Sequence, residues 1–259
     1  MRYFDTHAHY NDARYDEDRE QLFKDFSQNG VRAVTNIATD IATSYINDEY
    51  TKKYGFMYGT VGVFPTDTDE LERTGAVGEL EQLLENNDRL VAVGEIGLDY
   101  HYDEIDKPLQ KKWFEGQMDL ARRCGVPIAV HSRDAAKDTV DIMRACRAGE
   151  IGGVMHCYGY SKEMARDFLD MDFFFGIGGV VTFKNAKKLK EAVEYIPLSH
   201  IVLETDAPYL APEPYRGRRN SSLLLTYIAE EIARIKGITP DEVCEATWEN
   251  ACRLYKIKV

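Results

Sequence analysis

Four of the six histidines in this chain, His7, His9, His131 and His156, each come directly after a short run of β-favouring residues; His101 and His200 do not. Carboxylates hold matching positions in two further runs, Gly94-Glu95-Ile96-Gly97-Leu98-Asp99 and Glu204-Thr205-Asp206-Ala207-Pro208. Side chains alternate along an extended segment, so His7 and His9 project from one face and can grip one ion together. Imidazole nitrogens and carboxylate oxygens without an organised thiolate suit Zn, Mn, Fe, Ni or Co, with Mg at a carboxylate-rich position. The six candidate ligands, His7, His9, Glu95, His131, His156 and Asp206, exceed what one catalytic zinc needs. They predict two divalent ions per chain, Mg, Mn or Zn, about 3.5–4 Å apart and sharing a carboxylate and a water. Glu95, on the middle strand of the set, is the expected bridge.

Taken singly, each residue has a plainer role: a buried histidine satisfies a backbone group, a glutamate caps a helix, an aspartate starts a turn. Convergence of six such groups from five strand ends favours a shared site. Within it Asp206, together with Glu95, is a candidate catalytic group, because a carboxylate beside both a metal and a water can carry a proton. Glu204 lies two residues before Asp206 and either orients a ligand imidazole or pairs with a buried cation. Arg133 follows His131 by two, where its planar fork can hold phosphate or carboxylate, unless it forms a salt bridge to Asp5 or Glu204. Arg216, Arg218 and Asn220 belong to the basic stretch Arg216-Gly217-Arg218-Arg219-Asn220, which leads toward a late helix and is expected to receive an anionic substrate. A solvated charged face is the alternative there.

Such convergence requires a scaffold that brings strand ends together. Short β-rich runs alternate with amphipathic stretches from end to end, which predicts parallel β/α units. The strand candidates are 3–6, 33–37, 58–63, 90–94, 127–130, 153–155, 173–177 and 200–203. Helical patterns cover 16–28, 76–85, 107–123, 133–146, 162–169, 185–195 and 221–235, and Thr239-Pro240-Asp241-Glu242 opens a last helix. Gly30, Gly55 and Gly125 stand where helices should stop. The prediction is an α/β fold, a (β/α)8 TIM barrel in a single domain over 1–259, whose site forms at the carboxyl ends of the strands.

Composition agrees, with 44% hydrophobic and 29% charged residues. The absence of a charged-then-apolar leader, and of any apolar run near the roughly 18 residues a membrane span needs, predicts a cytoplasmic protein. The five cysteines are scattered without a Cys-x-x-Cys pair and are expected to be reduced. A net charge of −12 argues against broad adhesion to nucleic acid or anionic membrane, although bound metals can reverse the sign locally.

Five ordered segments resemble the TatD-type metal-dependent deoxyribonucleases of the amidohydrolase superfamily. They are Phe4-Asp5-Thr6-His7-Ala8-His9, Val93 to Tyr100, Pro127 to Arg133, Met155-His156-Cys157-Tyr158, and Leu203 to Tyr209. The resemblance implies one metal held by His7, His9, Glu95 and Asp206 and another by Glu95, His131 and His156. It also implies phosphodiester hydrolysis, often 3′ to 5′ exonuclease action on DNA, with Arg133 offsetting phosphoryl charge and Asp206 handling the proton. The expected partner is therefore DNA as substrate, single-stranded or at 3′ ends, with no membrane and no obligate protein partner. Two segments depart from the family pattern. Gly62-Val63-Phe64-Pro65-Thr66 replaces the usual Gly-Val-His-Pro-His, and Arg219-Asn220 continues into Ser221-Ser222 instead of Glu-Pro. Both departures are expected where substrate is held. Hydrolysis of another ester or amide, or metal binding with little catalysis, are the competing readings.

Overall fold

Parallel strands buried on both faces need helices to cover them, and the alternating pattern supplies both. In the computed structural model, which describes residues 1–101, 104 and 106–257, eight strands form one parallel sheet in chain order. They are β1 (Tyr3–Ala8), β2 (Val31–Asn36), β3 (Met57–Val61), β4 (Leu90–Asp99), β5 (Ile128–Arg133), β6 (Gly153–Met155), β7 (Phe174–Ile177) and β8 (Ile201–Leu203). The helices are α1 (Arg19–Gln28), α2 (Ile41–Lys53), α3 (Asp69–Thr74), α4 (Val77–Asn86), α5 (Lys107–Cys124), α6 (Ala136–Ala145), α7 (Lys162–Leu169), α8 (Lys187–Tyr195), α9 (Leu225–Lys236) and α10 (Pro240–Leu254). The residues after β8 close the ring onto β1: Asp206 and His9 amides donate to the carbonyls of His7 and Ala207 at 2.9 and 2.7 Å. The fold is a (β/α)8 TIM barrel. Among the described residues no helix is long and apolar enough to cross a membrane.

Three strands run beyond their expected ends, and the extensions carry the chemistry. β1 continues through His7, β5 through His131 to Arg133, and β4 through Glu95 to Asp99. The expected strand ends at Gly94, yet Ile96, Gly97, Leu98 and Asp99 pair in register with Val130, His131, Ser132 and Arg133. The reason lies in close approach: a Cβ on Gly97, whose φ is +139°, would come within 2.0 Å of the His131 carbonyl oxygen. Glycine lets β4 pass beside β5 at the height of the site.

Helix α2 buries Ser44, Asn47 and Thr51, so its inward face is polar and gives little apolar periodicity. Asn47 compensates by donating to the carbonyls of Asn36 and Thr60 at 3.0 and 2.9 Å. Gly55 does not cap it, since Tyr54 takes that position in an extended conformation. A separate cluster of Phe4, Ala92, Ala129, Val154, Phe174 and Val202 packs beneath Trp248, Ala251, Leu254 and Tyr255, the contribution of α10 and the residue after it. The Tyr255 hydroxyl donates to the Thr6 carbonyl at 2.8 Å, tying that helix to the strand that carries His7.

Candidate metal centre

The four strand-end imidazoles converge around one carboxylate. Glu95 Oε2 lies 3.4 Å from His7 Nε2 and 3.9 Å from His9 Nε2. Its other oxygen, Oε1, lies 2.9 Å from His131 Nδ1 and 3.7 Å from His156 Nε2. Asp206 Oδ1 completes the ring at 3.4 Å from His9 Nε2, 3.9 Å from His7 Nε2 and 3.8 Å from His156 Nε2. Asp206 adopts a left-handed backbone conformation, φ +56°, which aspartate tolerates better than most residues. Its amide bond to His7 and the Tyr209 amide donating to its carbonyl at 2.8 Å hold that turn.

This donor set fits divalent metal. His9 Nδ1 lies 3.2 Å from the Ile37 carbonyl, which only accepts, so Nδ1 carries the proton and Nε2 presents a lone pair. The Nε2 atoms of His7 and His9 are 3.2 Å apart, and His7 Nδ1 is buried without a hydrogen-bond partner among the described residues. Two ligand atoms each about 2.0–2.2 Å from a shared ion stand roughly 3–3.5 Å from one another, close to the His7 and His9 separation. Groups of potential ligand atoms within 4.8 Å of one another comprise His7, His9 and Glu95; Glu95, His131 and His156; His7, His156 and Asp206; and His156, Cys157 and Glu204. Burial disfavours charge on His156, but Glu204, Glu95 and Asp206 outweigh it and push the ring up to about 10. Burial also opposes ionisation of Glu95, yet His156 and His7 hold it well below the usual carboxylate range.

Behind these residues stands a ring of further carboxylates. Glu204 approaches His156 Nδ1 at 3.1 Å and accepts the Cys157 amide at 2.8 Å, so it faces a candidate ligand imidazole. Gly176 makes the room, since a Cβ there would lie 1.9 Å from a Glu204 oxygen. Asp99, whose role sequence reasoning missed, reaches His131 Nε2 at 3.1 Å. The signal was present, because residues 95 and 99 share a face of an extended strand. Asp5 accepts from the Thr205 and Ser222 hydroxyls, both at 2.6 Å. Complete burial pushes its carboxyl up to about 7, against those hydrogen bonds. Carboxylates that orient ligand imidazoles are worth about 10- to 100-fold in metal affinity. Glu204→Gln is accordingly expected to weaken metal binding by about that factor in a chelator competition, whereas unchanged affinity would show that the contact only packs.

Five of the six candidate ligands, His9, Glu95, His131, His156 and Asp206, line a cleft of about 520 Å³ whose walls also include Asn11, Asp12, Thr39, Phe64, Asp99, Arg133 and Tyr209. Arg133 therefore shares the cleft with the candidate ligands. Arg216 and Arg218 do not line the cleft; Arg216 packs over Phe183 at 4.4 Å. Arg219 pairs with Asp18 at 2.5 Å and covers the Tyr15 ring. Asn220 is a correction to the expected substrate contact. It is fully buried, and its amide nitrogen donates to the carbonyls of Thr205 and Tyr209 at 2.8 and 2.7 Å. Ser222 is likewise buried against Asp5 and Tyr10 and does not line the cleft. Phe64 does line the cleft, with ring centroids of Phe64 and His131 4.7 Å apart and the planes inclined at 62°. Arg14 and Asp12 are additional residues at this rim that no sequence signal singled out: the guanidinium binds Asp12 through two nitrogens at 2.9 and 2.7 Å and lies 4.2 Å over the Tyr209 ring.

A TIM barrel with histidines and carboxylates gathered at the carboxyl ends of its strands is an arrangement suited to metal-dependent hydrolysis. The family model for TatD related DNase matches residues 4–256, and the chain belongs to that family. It is 40% identical to YabD of Bacillus subtilis (strain 168), an uncharacterized metal-dependent hydrolase, over 98% of this chain and 99% of that one. A metal-dependent hydrolase named TatD from Mycobacterium tuberculosis is 34% identical over 97% of each chain. Among solved structures, YJJV, a TatD homolog from Escherichia coli K12, superposes with a TM-score of 0.91 at 26% identity, covering 99% of this chain and 98% of that one.

Proposed function

We propose that the protein hydrolyses phosphodiester bonds of DNA, removing nucleotides from 3′ ends, with two divalent ions in the cleft. His7, His9 and Asp206 would hold one ion, His131 and His156 the other, and Glu95 both. The observation that carries this reading is the division of the four imidazoles between the two oxygens of Glu95. When bound, such ions polarise a phosphoryl oxygen and make water acidic near neutral pH. Arg133 is suited to accept the phosphate and offset its developing charge with paired N–H donors. Asp206, whose Oδ1 lies 3.4 Å from His9 Nε2, would take a proton from the attacking water and return one to the leaving oxygen.

Release of single nucleotides from short single-stranded DNA tests this, with metal-stripped protein resupplied with Mg, Mn or Zn in turn. Shortening of 5′-labelled strands in single steps, dependent on metal, supports a 3′ exonuclease; release from the opposite end overturns the polarity.

A second reading, hydrolysis of a smaller ester, is favoured by one observation: the basic loop lies outside the cleft, leaving Arg133 as the Lys or Arg side chain in its lining. Phe64 bears on the choice, since an apolar ring replaces a group able to donate to phosphate. Phe64→His is expected to raise the rate of DNA cleavage about tenfold, the effect of one added hydrogen bond to a charged group. A fall in that rate would mean that the ring serves the native substrate.

A further inference from the structure

The cleft wall beside His9 contains an aromatic side chain that the chemistry above does not use. Tyr209 is 47% exposed, whereas large aromatic side chains elsewhere in the barrel are mostly buried. Scattered exposed aromatics are ordinary on protein surfaces, but three contacts fix this one. Its amide donates to the Asp206 carbonyl at 2.8 Å, so its position is linked by a turn to a ligand residue. Its own carbonyl accepts from the buried Asn220 amide at 2.7 Å. Its ring is covered on one side by the Arg14 guanidinium at 4.2 Å, and Arg14 is in turn clamped by Asp12. The ring stands nearly edge-on to His9, at 6.4 Å between centroids and 75° between planes. What remains exposed therefore borders the cleft, next to the His7 and His9 pole of the ligand set.

A rigid aromatic surface beside a phosphate-handling centre matches a planar group attached near the scissile bond. We infer that Tyr209 is the specificity-determining residue of this cleft, a platform on which the base of the terminal nucleotide stacks, with Arg14 and Asp12 as its positioning residues. The inference rests on the phosphodiester reading of the site and narrows it to a nucleotide-bearing substrate. Stacking on an aromatic ring tolerates every base, because each has a π face. The cleft's size agrees, since about 520 Å³ lies within the range of pockets that enclose one small ligand. Phe64 is the less suitable ring, because it packs against His131 and is half-buried.

The test is equilibrium binding by calorimetry to Mn-loaded protein, using thymidine 5′-monophosphate and 2-deoxyribose 5-phosphate as probes that differ only by the base. Wild-type protein is expected to prefer the nucleotide about tenfold or more, Tyr209→Phe to keep that preference, and Tyr209→Ala to lose it while binding the sugar phosphate as before. Tyr209→Leu, which fills the same space without a π face, serves if the alanine variant fails to fold, and the same loss is expected. A wild-type protein without preference, a preference that survives in Tyr209→Ala or Tyr209→Leu, or an equal loss for both probes overturns the inference. Cleavage of DNA is scored separately. Protein that prefers the nucleotide but does not cut retires the nuclease reading and leaves the platform standing, whereas protein that cuts without preference does the reverse.

Discussion

Glu95→Ala is expected to lower bound metal from two equivalents per chain to at most one and to reduce turnover by about 10³-fold or more. Both oxygens of this carboxylate face imidazoles, Oε2 toward His7 and His9, Oε1 toward His131 and His156. Its removal takes a ligand from both clusters at once, an effect that loss of any single histidine does not produce. Elemental analysis of dialysed protein measures the first effect and initial rates the second. Two equivalents retained at full affinity would show that Glu95 bridges nothing.

Asp206→Asn separates proton handling from metal holding. Asparagine keeps the size of the side chain and an oxygen that can still bind, and like aspartate it tolerates the left-handed backbone, φ +56°, found at this position. What it lacks is a basic carboxylate. The rate constant kcat is expected to fall by about 10²- to 10⁴-fold, the usual contribution of general acid-base catalysis, with metal content preserved. A variant that retains two metals and full kcat would reduce Asp206 to a ligand.

Much of the site was legible because its chemistry sits at the ends of strands that announce themselves. His7 and His9 stand at a spacing of two in an extended segment, and the remaining candidate ligands end other apolar runs of a repeating β/α pattern. Less legible were features decided by long-range contact. The continuation of β4 past Gly94 depends on β5 passing alongside, and a glycine reads as a breaker until its neighbour is known. Helix α2 turns Asn47 inward because carbonyls of Asn36 and Thr60 await it, a pairing that apolar periodicity does not reveal. The basic loop was misjudged for a related reason. Its charges suggested a substrate surface, but Arg219 reaches back to Asp18 and Asn220 turns inward to the carbonyls of Thr205 and Tyr209. The clamp of Arg14 by Asp12 over Tyr209 joins residues almost two hundred positions apart, and no local pattern encodes it.

The most direct measurement is an anomalous difference map from crystals of the protein soaked in Mn. The account predicts two peaks flanking Glu95, one beside His7, His9 and Asp206 and the other beside His131 and His156. A single peak, or a pair not divided by the Glu95 carboxylate, would contradict it.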